Sequence, residues 1–237
     1  MFAKRRFLIL IPIYFIVLSC LLLAGIGASR SVDVYSETMR NGNKMLVILD
    51  PGHGSPDGGA VSCSGRLESD INLEIALRLD DLMHFIGYNT VLTRHTGESV
   101  YTQGNTISEK KISDMRNRVE LINNTQNAIV ISIHQNYFSN GKYSGAQVFY
   151  RDTPESKDLA TQLQNAFVKT LNPGSKRQSK RGEGIYLLEK VKCPAVLIEC
   201  GFLSNPEEDF LLQEDAYQKK ISCVVAVSLD QYINDTL

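Results

Sequence analysis

The sequence predicts a single α/β domain built on a largely parallel sheet of about six strands, with helices covering both faces. Three observations predict it. Short, almost purely apolar runs alternate with segments of helical period, the pattern of strands buried on both sides. Gly and Pro punctuate the junctions between them. Three of the runs end on chemistry-bearing side chains: Leu46–Gly54 enters a Pro-Gly turn that presents His53, Ile129–Ser132 leads to His134, and Ala195–Ile198 leads to Glu199. The carboxyl ends of core strands are where such sheets open a crevice.

The elements follow in order. After the first strand, 55–66 is a Gly- and Ser-rich loop. Ile71, Ile75, Leu79, Leu82 and Ile86 recur at three-to-four spacing, which predicts a helix over Glu68–Phe85 stopped by Gly87. Asn89–Leu92 is a second strand, and 95–107 is polar loop. A helix starting at Ser108 or Ser113 passes through Met115, Val119 and Ile122 to a third strand, Ala128–Ile133. Gly145–Tyr150 is a fourth strand. Glu155–Leu171 is a helix with Leu159, Leu163, Ala166 and Phe167 on one face, and Pro173-Gly174 ends it. Gly184–Leu188 and Ala195–Ile198 complete the strands, and Asp215–Ile233 is a final helix.

The amino end reads differently. Lys4, Arg5 and Arg6 precede an uncharged run from Phe7 to Ile26, so residues 1–30 are expected to be an export signal or a retained membrane anchor. Both readings stay open, because Gly25, Gly27, Ala28 and Ser29 offer small residues for cleavage while the run is long enough to span a bilayer. Cys20 is a faint lipoprotein signal, but the apolar run continues past it. Residues 31–43 are a polar linker, and 44–237 suits one domain with a sizeable core. Either outcome places that domain beyond the cytoplasmic membrane.

Residues 1–43 hold five of the 25 basic and two of the 26 acidic side chains, so the remainder has 20 against 24, a formal charge of −4. That balance excludes the basic footprint of a nucleic-acid binder. Cys63, Cys193, Cys200 and Cys223 lack the close pairing of a structural zinc site. Cys200 and Cys223, set among apolar residues, are expected to be small core hydrophobes.

Four histidines can be weighed one by one. His53 and His134 close strands, and the Gly-rich loop can fold Glu68 back towards both. Two imidazoles and a carboxylate are the donor set of catalytic zinc, which keeps its fourth position for water. Singly, His53 suits a turn and Glu68 suits a helix amino end; together at one sheet edge they favour a single zinc ion. Glu199, an ionisable group after a buried run, is read first as a general base, with turn capping and a fourth metal ligand as alternatives. His84 reads as a surface residue, and His95 as a weak candidate to line the crevice. The basic run Lys176–Arg181 reads first as a solvated loop, although it could touch an anionic substrate.

Four motifs now stand in order: Asp50-Pro51-Gly52-His53-Gly54, Glu68-Ser69-Asp70-Ile71-Asn72-Leu73, Ser132-Ile133-His134-Gln135-Asn136, and Pro194–Pro206. Together they resemble the zinc-dependent N-acetylmuramoyl-L-alanine amidases of the amidase-3 type. The likeness runs from Met45 to the last helix. It implies a mixed six-stranded sheet, zinc on His53, Glu68 and His134, and Glu199 as catalytic glutamate. It also implies cleavage of the amide joining the lactyl group of N-acetylmuramic acid to L-alanine of a peptidoglycan stem peptide. Arg116–Asn123, Ser144-Gly145-Ala146-Gln147 and Gly184-Ile185-Tyr186-Leu187 are similar to the germination-specific branch. That branch removes stem peptides from spore cortex so that muramic δ-lactam can form.

Gln135 and Cys200 depart from the commoner family residues without removing a ligand. Only ten residues separate His134 from Gly145, too few for the covering insertion of cell-division relatives. An acidic catalytic module with no appended wall-binding repeats is expected to need an accessory protein that recruits or activates it. A zinc peptidase cutting within the stem peptide, and a non-catalytic wall-binding protein, are the competing readings.

Overall fold

Val47, Ile48 and Leu49 are fully buried because β1 (Leu46–Pro51) lies inside the sheet with a parallel neighbour on each side. The computed structural model describes residues 45–236; the expected signal or anchor and the linker lie outside them. Six strands run in the order β2-β1-β3-β6-β4-β5, with β2 at Thr90–Leu92, β3 at Ala128–Asn136 and β6 at Ala195–Phe202. These four are parallel. β4 (Gln147–Tyr150) pairs antiparallel with β6, and the short edge strand β5 (Lys180–Arg181) follows β4. The sheet is therefore mixed.

Successive side chains of a strand face opposite sides, and the two sides carry unequal cores. On one, α1 (Glu68–Phe85), α3 (Pro154–Thr170) and α6 (Asp215–Thr236) bury Ile75, Leu79, Leu163, Phe167, Val225 and Leu229 against Ile129, Ile131 and Val196. On the other, α2 (Ile107–Asn124) and α4 (Tyr186–Lys190) place Ile122 and Leu188 over Ile48, Val130 and Leu197. α5 (Pro206–Gln213) adds Leu212 to the larger core. No described helix is long and apolar enough to cross a membrane.

Four points of the sequence reading need correction. Gly184–Leu188 is not a strand: the chain turns at Gly184, whose φ is +75°, and Tyr186–Lys190 is helical. A five-residue apolar run fits both periods, and the edge position belongs instead to Lys180–Arg181, where exposed cations discourage further strand pairing. α5 was not foreseen, although Asn205 caps it through the amides of Glu207 and Glu208 and Pro206 opens it. Cys223 is exposed rather than buried, while Cys200 is a core residue as expected; the four described cysteines are free thiols. The second helix starts at neither serine. Thr106 caps it in a reciprocal pair with Glu109.

One buried ionic network ties three strands and a helix together where the sheet opens. Asp50, the penultimate residue of β1, accepts from Thr93 Oγ1 (2.7 Å), Ser132 Oγ (2.7 Å) and Arg118 Nη1 (2.7 Å). Arg118 also pairs with Asp114 one helical turn away and donates to the carbonyls of Pro51 and His53. Burial alone would raise the Asp50 carboxyl, but the Arg118 charge and the two hydroxyls hold it at about 2, against 3.8 for a free Asp. A depressed native pKa means that ionised Asp50 stabilises the fold above pH 3.8 and loses that contribution as acid takes the pH towards 2. Asp50→Asn should cost about 3 kcal/mol at pH 7, because it leaves Arg118 under-compensated. Urea unfolding of parent and variant should show the gap narrowing between pH 4 and pH 2. A gap independent of pH would remove the ion pair as its cause.

Candidate metal centre

His53 leaves β1 in the left-handed region, with φ +61°. That conformation costs a non-glycine residue roughly 1–3 kcal/mol and persists only where the surroundings impose it. Here two buried arginines impose it. Arg118 Nη2 donates to His53 O at 2.6 Å, and Arg94 donates to Pro51 O (2.9 Å) and Gly52 O (3.0 Å). The ring is fixed from its far side: Nδ1 lies 3.0 Å from Asp57 Oδ2, which Lys111 Nζ approaches at 2.9 Å. A carboxylate on one imidazole nitrogen sets the tautomer and aims the other nitrogen, the usual support of a metal-binding histidine.

Glu68 begins α1 with its side chain turned towards the strand ends and 4 % exposed. Ala60 N donates to Oε2 at 3.0 Å, while Asn72 Nδ2 (3.3 Å) and Gln135 N (3.2 Å) donate to Oε1. Its oxygens then reach both imidazoles: Oε2 is 3.3 Å from His53 Nε2, and Oε1 is 3.0 Å from His134 Nδ1. Burial opposes ionisation of Glu68, but His134 and His53 outweigh it and keep the carboxyl far below its usual range. Burial likewise opposes a charge on His53, yet its contacts with Asp57 and Glu68 raise it to about 9. The hydrogen bond with His53, followed by Lys111, holds Asp57 well below the ordinary value.

His134 and Glu199 are brought together by register. They are partners in the β3–β6 ladder, followed by an irregularity before Asn136. Glu199 Oε2 is buried with no hydrogen-bond partner among the described residues. Burial pushes its carboxyl up to about 7, with Glu68 adding to the rise and the two histidines opposing it. A carboxyl so placed can accept a proton and return it near neutral pH.

His53, Glu68 and His134 each offer one donor atom, all within 4.8 Å of one another, so the three can hold a metal ion. Two glycines keep the space. A Cβ on Gly52 would sit 2.1 Å from His134 Nε2, and one on Gly59 would sit 2.5 Å from Glu68 Oε2. In front lies a cavity of about 140 Å³ lined by His53, His134, Lys111, Tyr186 and Leu197. His84 is exposed beside Asp80, as expected. His95 is exposed and does not line that cavity, and Cys63 is exposed and outside the cluster.

The family model for N-acetylmuramoyl-L-alanine amidase matches residues 47–231. The chain belongs to the N-acetylmuramoyl-L-alanine amidase family. It is an amidase of peptidoglycan, 38 % identical over 192 residues to the germination-specific N-acetylmuramoyl-L-alanine amidase of Bacillus subtilis, covering 80 % of each chain. Among solved structures it resembles the CwlD amidase of Clostridioides difficile in complex with the GerS lipoprotein. The TM-score is 0.78 at 37 % identity, covering 81 % of this chain and 99 % of that one. A second amidase from Clostridium difficile 630 superposes with a TM-score of 0.70 at 28 % identity, covering 81 % and 98 %.

Sequence reasoning missed the amidase's supporting residues: Asp57, Asn72, Arg94, Lys111 and Arg118. Arg118 carried one local signal, its i,i+4 spacing from Asp114 on a helix. Gly52→Ala should push the His134 ring aside while leaving the fold intact. Divalent metal retained after dialysis should fall at least tenfold with an unchanged circular dichroism spectrum. Full metal content would show that His134 is not held as described.

Proposed function

We propose that the chain is a zinc-dependent amidase that cleaves the bond between the N-acetylmuramic acid lactyl group and L-alanine. Its substrate is then spore cortex, where removal of the stem peptide allows muramic δ-lactam to form. The observation that carries the reading is the convergence of His53, Glu68 and His134 within 4.8 Å, beside the unpartnered oxygen of Glu199. Two nitrogens and one carboxylate match the donor set of catalytic zinc and leave a coordination position free. Zinc held there would act as a Lewis acid towards the scissile carbonyl and make water acidic enough to ionise near neutral pH.

The chain's own residues do the rest. His53, with Asp57 behind it, and His134, packed over Gly52, hold the donor atoms in place. Glu199 takes the proton of the attacking water on its carboxylate and returns one to the L-alanine nitrogen, releasing the peptide. The likeness to the germination-specific Bacillus subtilis amidase supports cortex as the substrate. The relative solved with the GerS lipoprotein supports an accessory protein for this chain too. Residues 1–30, as signal or anchor, and the linker 31–43 would deliver domain 44–237 beyond the cytoplasmic membrane.

Incubating the full chain with cortex peptidoglycan, with and without a zinc chelator, tests the reading by mass spectrometry of the products. Glycan strands freed of peptide are expected only without chelator; L-alanine left on muramic acid would instead indicate a peptidase. Full activity of the chain alone would remove the need for an accessory protein. Glu199→Gln should bind zinc stoichiometrically and lose about a thousandfold in turnover, whereas His53→Ala and His134→Ala should lose both. Substantial activity in Glu199→Gln would overturn its assignment as the base.

A further inference from the structure

The three candidate metal ligands arrive on separate elements: His53 just past β1, Glu68 at the start of α1 and His134 in β3. Two buried amides link all three carriers. Asn72, one helical turn after Glu68 and fully buried, donates from Nδ2 to Glu68 Oε1 at 3.3 Å and to Gly52 O at 3.1 Å. Gly52 immediately precedes His53. The other edge of the Asn72 amide, Oδ1, accepts from Gln135 Nε2 at 3.2 Å. Gln135 in turn follows His134, and its backbone N donates to Glu68 Oε1 at 3.2 Å.

Gln135 occupies this place at a cost. It is 3 % exposed, and its Oε1 has no hydrogen-bond partner among the described residues. The buried Cys200 thiol lies against the same amide, and a thiol is only a weak hydrogen-bonding group. A buried oxygen left unpaired destabilises a fold, and an apolar side chain of the same length would avoid it. What the apolar side chain could not supply is the Nε2 donor. Asn72 needs that donor. Gly52 O and Glu68 Oε1 are both acceptors, so they fix which edge of the Asn72 amide faces them. The opposite edge is then an acceptor in a fully buried residue, out of reach of bulk solvent. Without Gln135 Nε2 it is stranded, and the amide gains by swinging away from Glu68 towards another donor.

We infer that Gln135 is a positioning residue for the metal centre: by anchoring Asn72 it holds the Glu68 carboxylate and the Gly52 turn at the spacing an ion needs. The inference rests on the metal-binding reading above and concerns how tightly this chain holds its ion. Gln135 is not among the candidate ligands. It acts through Asn72, and the unpaired Oε1 is what the fold gives up for it.

The test measures zinc affinity of the full chain, by competition with a chromophoric chelator, for the parent and for Gln135→Met, which keeps the side chain's length and removes the donor. The zinc dissociation constant should rise about tenfold or more, the usual scale for losing a group that supports a metal ligand. The melting temperature of the metal-free protein should stay within about 3 °C of the parent or rise, because the same change removes the stranded oxygen. Asn72→Leu should weaken zinc at least as much. Adding Gln135→Met to it should change the affinity by less than about twofold, since Gln135 then has nothing to hold. Where Asn72→Leu does not fold, Gln135→Met decides alone. An unchanged dissociation constant in Gln135→Met, or two effects that multiply, would overturn the inference and leave the metal site standing. So would a loss of affinity matched by a fall in the metal-free melting temperature, which would make Gln135 an ordinary packing residue. A parent that binds no zinc would instead bring down the metal reading, and this inference with it.

Discussion

The buried pairing of Asp50 with Arg118 is the constraint on which the centre depends. Ion pairs sealed from water add little net stability, because desolvation of both partners offsets their attraction. What they supply here is position. Arg118 reaches from the middle of α2 to the last residues of β1 and holds the carbonyls of both Pro51 and His53. Arg94, arriving from the end of β2, holds those of Pro51 and Gly52. Four backbone contacts from two rigid guanidinium forks keep a left-handed histidine where the free chain would rarely put one.

Around that fixed point, three kinds of structural logic meet. The sheet register brings His134 and Glu199 side by side without help from any loop. Helix α1 contributes Glu68 from a position where its carboxylate also answers the positive end of the helix dipole. Backbone amides of Ala60 and Gln135, together with the Asn72 side chain, then fix its two oxygens. Strands fix one pair of groups, a helix end fixes another, and glycines 52 and 59 keep the space between them clear.

How much of this was legible depended on what carries each signal. The bounds of α1 were readable because a long helical period leaves little freedom, and Glu68–Phe85 is what the structure shows. Three apolar runs ending in His or Glu were readable because burial on both faces erases polar residues from a strand. Gly184–Leu188 was misread because so short a run satisfies either period. Arg94, Arg118 and Asp57 were invisible as site residues for a different reason. Their partners are main-chain carbonyls and a histidine nitrogen, defined by the closing of a turn rather than by any pattern along the chain. Cys223 shows the same limit. Apolar neighbours in sequence do not fix which side of a helix a residue takes.

The reversal of β4 has a consequence of its own. In a wholly parallel sheet every strand would arrive at the reactive edge by its carboxyl end. Because β4 runs the other way, its beginning lies opposite Glu199. The segment that feeds it leaves β3, the strand of His134, and returns beside Glu199. A change at the start of β4 is therefore felt directly by the Glu199 backbone, whose ladder partner is Gln147. One reversed strand thus makes β6 the seam between the parallel and antiparallel parts of the sheet, with His134 on one flank of Glu199 and Gln147 on the other.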